Sequence, residues 1–271
     1  MPRLLITSLA LIFFSPVIFG ADKTKGLDVR LISETTAIAP GQSFTVGLHI
    51  HHHKGFHTYW KNPGIVGIPT SLKWKLPPGF TASKITWPYP ELSSMAGHPC
   101  HGYERDVTLL VTITPPKVIQ EKEITLSTTA SWMCCSNNCY PDTKKLTRTF
   151  VVARTTVSDP MGTKLIQKTQ RNVPKVSSDC IATLLSGAND TKIKVRITLP
   201  KNIAAENPYL FSFDGQISSN LSQKFIKQSD GSLLLTINRS EFSPKKNTRL
   251  PAVIKAGKNH LWINPAYLNE K

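Results

Sequence analysis

The sequence predicts an all-β protein built as a β-sandwich followed by a second, smaller β-sandwich domain. Three observations carry the prediction. Apolar residues alternate with polar ones at a period of two in segment after segment, the mark of half-buried strands. Pro and Gly clusters such as "NPGIVGIP" and "LPPGF" separate those segments. The alternation lapses between about residues 157 and 175, where a helix fits better.

Taken in order, residues 1–21 open with Met-Pro-Arg and continue as "LLITSLALIFFSPVIFG", an apolar run broken by Pro16 and closed by small Gly20 and Ala21. This reads as a secretory signal peptide cleaved near Ala21. The run is short and interrupted for a bilayer span, and no Cys follows it to take a lipid. No later stretch approaches the length of a membrane helix, so no membrane span is expected after cleavage. Disulfides are then chemically allowed.

Residues 22–156 form the first sandwich. In "FTVGLHIH" Phe44, Val46, Leu48 and Ile50 share a face; in "VTLLVTI" Val107, Leu109, Val111 and Ile113 do; in "EITLSTTASW" it is Ile124, Leu126, Thr128, Ala130 and Trp132. Residues 157–175 are a helical linker, with Ser158 or Asp159 as N-cap, a Pro in the first turn and Pro174 as stop. Residues 176–271 form the second sandwich, whose strands are "KIKVRITLP", "PYLFSF" and, after a Ser-Asp-Gly turn, "SLLLTIN". Trp60, Trp74, Trp87 and Tyr59 fall at strand ends and turns and are read as core and edge packing. Trp132 should be core.

The chain has 271 residues and a net charge of +16, spread as singles and pairs such as Lys144-Lys145. Without a basic stripe interleaved with aromatics, nucleic acid is not an expected partner. Hydrolytic and nucleotide-binding motifs are missing: there is no G-x-S-x-G, no H-E-x-x-H and no glycine-rich phosphate loop.

Chemistry concentrates in "SWMCCSNNCYP", where three of the five cysteines lie within six positions. Ser-Asn-Asn between Cys135 and Cys139 favours a tight turn. A hairpin there would oppose the two cysteines at roughly 4.5 to 5.5 Å between Cα atoms, which suits a disulfide. Such a bond closes so short a loop that it adds only about 2 kcal/mol, a weak staple and more readily a labile, exchanging bond. Structural and metal readings stay open beside it. For a metal, His98, Cys100 and His101 of "GHPCH" with Cys134 are ligands suited to Cu(I) or Zn(II), and "HIHHH" adds His49, His51, His52 and His53. No complete four-ligand spacing results. Parity separates Cys134, on the inward face with Ala130 and Trp132, from Cys135 on the other face. Cys180 stands apart, a buried thiol or the partner of Cys100.

The order of "GFHTYWKNPGIVGIPTSLKWKLPPGF", "ITWPYPE", "GYERDVTLLV" and "SWMCCSNNCYP" resembles the N-terminal periplasmic region of the thiol:disulfide interchange protein DsbD family, in its ScsB-like branch related to copper tolerance. "YLFSFDGQISSNLSQ" and "GSLLLTIN" extend the resemblance into the second half, over roughly residues 27 to 262. It implies an immunoglobulin-like sandwich in the periplasm with Cys135 and Cys139 as the exchanging pair, and no bound cofactor. It also implies a donor, either a membrane electron-carrier protein or a thioredoxin-like protein, and oxidised periplasmic proteins as acceptors. A cap over the disulfide would fall around Gly97 to Glu104. The family's electron-carrying transmembrane and thioredoxin-like domains are not in this sequence, so the chain needs a donor. Cys100 and Cys134 are additional to the motif.

Overall fold

The computed structural model describes residues 24–268; the expected leader, 1–21, lies outside the described residues. The first half runs through β1 (Leu27–Ser33), β2 (Thr35–Ile38), β3 (Phe44–His52), β4 (Thr58–Gly64), β5 (Ser71–Lys75) and β6 (Thr81–Ala82). It continues with β7 (Glu91–Met95), β8 (His98–Tyr103), β9 (Val107–Thr114), β10 (Glu123–Cys135), β11 (Cys139–Val152) and β12 (Val157–Ser158). Helix α1 (Pro160–Gln170) follows, then β13 (Ile181–Leu184), β14 (Lys192–Thr198), β15 (Tyr209–Ser212), β16 (Phe225–Lys227), β17 (Leu233–Asn238), β18 (Ala252–Ala256) and β19 (Asn259–Ile263). The all-β expectation and the two sandwiches hold.

In the first half a sheet in the order β1-β3-β9-β6 faces one in the order β12-β2-β11-β10-β5. Alternation explains the packing. Phe44, Val46, Leu48 and Ile50 of β3 are all buried, as are Ile124, Leu126, Thr128, Ala130 and Trp132 of β10. Phe44, Val46, Val111, Ile113, Ile124, Leu126 and Phe150 fill one end of the core. Trp60, Trp87, Tyr103, Trp132 and Cys134 fill the other, together with Phe211 and Val253 from the second half. The two halves therefore share apolar core. The second sandwich packs β13-β14-β17-β16 against β15-β18-β19, with Ile193, Val195, Ile197, Leu235 and Ile254 fully buried between them.

Asp159, rather than Ser158, caps α1: its carboxylate accepts from the Gly162 amide at 3.0 Å and pairs with Arg148 at 2.6 Å. Pro160 occupies the first turn, where its missing N–H costs nothing. The helix does more than connect. Ile166, 1% exposed, packs with Ile32 and Leu110 on the outer face of the β1-β3-β9 sheet, which the period-two pattern alone would have left to solvent.

A third sheet, β4-β8-β7, sits at the end of the first sandwich. It places the candidate site.

Candidate functional site

The long hairpin of β10 and β11 pairs from Glu123 with Val151 up to Cys135 with Cys139. Ser136, Asn137 and Asn138 make the turn, closed by the Ser136 amide donating to the Asn138 carbonyl at 3.0 Å. Cys135 and Cys139 thus stand opposite each other with Cα atoms 4.1 Å apart and are disulfide-bonded. Beyond the reach of β5 on β10, the tip is taken up by the residue just before β4: His57 and Cys135 exchange two backbone hydrogen bonds, each 2.9 Å. That pairing aims Cys135, His57 and, two residues on, Tyr59 at one side of the sheet.

The sulfurs differ in exposure. Cys135 is fully buried, in a cluster with Tyr59 and Cys100 against which Val66, Met95, Met133 and Cys139 pack. Cys139 is only partly buried. The Tyr59 hydroxyl lies 3.9 Å from Cys139 Sγ and 3.3 Å from His57 Nε2. Burial pushes the Tyr59 phenol up to about 12 and the His57 imidazole below its ordinary value, so both are neutral near pH 7. A neutral phenol at that distance can donate to a thiolate as it forms on Cys139, with His57 supporting its oxygen. Reading Tyr59 as packing alone misses this. The signal lay in its shared parity with His57, but only the pairing of His57 with Cys135 gives that parity a meaning.

The expected cap around Gly97 to Glu104 is the β7–β8 hairpin. It is regular structure: β8 pairs with β4 through Thr58–Tyr103 and Tyr59–Gly102, and β7 pairs with β8 from Glu91–Gly102 to Met95–His98. Met95, beside its turn, packs on the disulfide cluster.

The metal set does not converge. Along β8 the side chains alternate: His98 is exposed, Cys100 faces the disulfide cluster, and His101 faces the second sandwich. Cys134 is buried in the main core with Trp132. Among the described residues no three His, Cys, Asp or Glu side chains gather as a metal ion would need. The His run is dispersed as well. His51 pairs with Asp106 and His53 with Asp28 at the surface, whereas His52 is buried between the Arg105 carbonyl and the Thr58 hydroxyl. Cys134 carries the expected inward parity, and burial lifts its thiol to about 12; Cys100, buried too, rises to about 11. Both are protonated and unreactive near neutral pH. Cys180 is a free, partly buried thiol packed on the second sandwich's core and Cys100 is likewise free, so the Cys100–Cys180 pairing is not formed. Trp60, Trp87 and Trp132 are core, and Trp74 packs partly buried at its edge.

Among the described residues, no helix is long and apolar enough to cross a membrane.

Residues 28–151 match the family model of the thiol:disulfide interchange protein DsbD, N-terminal. Among curated proteins, none matches the chain. Among solved structures, the N-terminal periplasmic domain of ScsB from Proteus mirabilis is similar with a TM-score of 0.67 at 14% identity, over 91% of this chain and 95% of that one. The shared fold therefore runs through both sandwiches. BcpA, the major pilin subunit of Bacillus cereus, gives a TM-score of only 0.28 at 10% identity, over 90% of this chain and 64% of that one, and carries no argument. With an immunoglobulin-like sandwich, a matching family model and the Cys135–Cys139 disulfide at the tip of its long hairpin, the chain belongs over residues 28–151 to the family of DsbD N-terminal domains.

Proposed function

We propose that this protein passes reducing equivalents in the periplasm from a membrane electron carrier or thioredoxin-like donor to oxidised proteins, through Cys135 and Cys139. Residues 22–156 are the exchange unit, 157–175 the connector and 176–271 its companion sandwich. One observation supports the reading above others: a disulfide closing a five-residue hairpin has one sulfur fully buried and the other partly open beneath a polar side chain. Unequal exposure gives an incoming thiolate one sulfur to attack and leaves the other as the leaving group.

The asymmetry orders the chemistry. The donor thiolate attacks Cys139 Sγ, the more exposed sulfur; the Cys135–Cys139 bond breaks and Cys135 leaves as a thiolate that takes a proton. The donor's second thiolate then attacks the donor sulfur of the mixed disulfide, and Cys139 departs as a thiolate towards the Tyr59 hydroxyl. The donor leaves oxidised and this protein as a dithiol. In the second half, Cys139 attacks an acceptor disulfide, and Cys135 attacks Cys139 to release the acceptor thiolate and restore the bond. Electrons move in pairs, and no bound cofactor takes part. Two residues past Cys139, Pro141 lines a shallow depression of about 470 Å³ with Ile68 and Pro69 on its apolar side and Ser71, Ser131, Asp142 and Thr143 on its polar side, a mixed surface on which a partner can rest.

The test is disulfide transfer from a reduced thioredoxin-like donor to three single variants. Cys135→Ser and Cys139→Ser should abolish turnover while Cys134→Ser keeps most of it. Cys135→Ser should also hold a persistent mixed disulfide through Cys139. Equal loss in all three, or loss in Cys134→Ser alone, would sink the assignment.

A further inference from the structure

The covering strands are held from behind as well as from the front. On the face of β8 opposite Cys100, His101 is 1% exposed. Its Nδ1–H donates to the Asn62 carbonyl at 3.2 Å, and its Nε2 accepts from the Tyr209 hydroxyl at 3.0 Å. Its ring stands edge-on to Phe211 at 5.0 Å. One residue before Cys100, the Pro99 carbonyl accepts from Ser219 Oγ at 2.6 Å, and the same hydroxyl accepts from the Ile65 amide at 3.2 Å. Asn62, on β4, donates to the Ser212 carbonyl at 2.6 Å. Both strands that lie over the disulfide are thus stitched on their far side to β15 and the segment after it.

Exchange chemistry itself needs only the hairpin tip, so the second sandwich calls for its own account. Ordinary domain neighbours meet across moderate, rather polar surfaces and move relative to one another. Here Phe211 and Val253 instead complete the first sandwich's core around Trp60, and the polar bonds fall on the two strands that cover the sulfurs. We infer that the second sandwich is a brace that sets how far the β4–β8 cover stands open over the disulfide, with Tyr209 and Ser219 as positioning residues. The inference rests on the exchange reading of Cys135 and Cys139 and adds to it the part of the chain that regulates access.

Attack on a covered sulfur proceeds from the fraction of molecules whose cover is locally open. Removing one buried hydrogen bond of typical net worth shifts such an equilibrium about five-fold. Tyr209→Phe deletes the hydroxyl that His101 accepts from and keeps the ring; Ser219→Ala deletes the hydroxyl shared by Pro99 and Ile65. Ser232→Ala serves as control, since that buried hydroxyl bonds Asp230 in the turn between β16 and β17.

The experiment uses the full oxidised chain. Reduction of Cys135–Cys139 by excess dithiothreitol is followed by alkylation and mass analysis, alongside hydrogen exchange of the amides of residues 91–103. Tyr209→Phe and Ser219→Ala should each speed reduction about five-fold and lower protection in that hairpin, with Ser232→Ala unchanged. Parental rates and protection in both brace variants overturn the inference, as does equal acceleration by Ser232→Ala. A small reductant reads access to the sulfurs without a protein partner. Acceleration in variants of a chain that refuses every thioredoxin-like donor would therefore support the brace while removing the exchange reading.

Discussion

Reducing the Cys135–Cys139 disulfide should loosen the protein slightly and leave its fold intact. The bond closes five residues, counted from Cys135 through Cys139. Chain entropy gives such a loop about 2 kcal/mol, and at roughly 2 to 4 °C per kcal/mol for a chain of this size the midpoint should fall by about 4 to 8 °C. What remains after reduction is substantial: the hairpin keeps its ladder down to Glu123 and Val151, and two 2.9 Å backbone bonds still fasten Cys135 to His57. The assay is a thermal melt by near-ultraviolet circular dichroism, oxidised against phosphine-reduced, with a Cys135→Ser, Cys139→Ser double variant as the permanently open form. A drop beyond about 15 °C, well outside the entropy estimate, or loss of a cooperative transition would show that the bond is a staple.

Three further expectations follow from side-chain surroundings. Burial holds His52 and His101 at about 4, below the 6.5 of an unfolded chain, so the unfolded state binds protons first as pH falls. Stability is then full above about pH 6.5 and is lost on the way to about pH 4, by as much as about 2 kcal/mol per histidine near pH 5; a melting temperature flat between about pH 7 and pH 5 refutes this. In Gly162→Ala the new methyl would meet the Ser33 carbonyl at 1.7 Å, forcing α1 off the sheet, and denaturant unfolding should register a loss of about 2 to 3 kcal/mol. In Gly67→Ala, at φ +97°, the methyl would meet the Tyr59 ring at 2.2 Å. Displacing Tyr59 from Cys139 should make reduction by small thiols faster, and an unchanged rate would show that Tyr59 does not shield the sulfur.

What the sequence disclosed and what it withheld divide along a physical line. Alternation marks which face of a strand is buried, so the cores around Phe44, Ile124 and Ile193 were legible, as was the inward turn of Cys134 beside Trp132. The Cys135–Cys139 opposition was legible because both residues and their turn lie within one local segment. The helix was visible from its cap and prolines, yet its task was not, because Ile166 meets Ile32 and Leu110 from far along the chain. The cover was placed near Gly97 to Glu104 by resemblance alone, and how it is held stayed hidden for the same reason. Its hairpin rests on a pairing with β4 that no local pattern encodes, and that pairing sends Cys100 and His101 to opposite sides. Read as neighbours in sequence they look like ligands of one metal; in the sheet they serve two different surfaces.

The adjacency of Cys134 and Cys135 poses a sorting problem for the nascent chain, since either can reach Cys139 while the segment is unfolded. The register of β10 on β11 resolves it. Joining Cys134 to Cys139 would slide the hairpin by one residue, and in a strand that slip turns every side chain to the opposite face. Ile124, Leu126, Ala130 and Trp132, all buried, would be thrust into water together, at a cost no five- or six-residue loop can offset. The core thereby acts as a proofreader for the sulfurs: a wrong pairing formed before folding obstructs the fold and stays open to rearrangement, whereas the right one is sealed in as the sandwich closes.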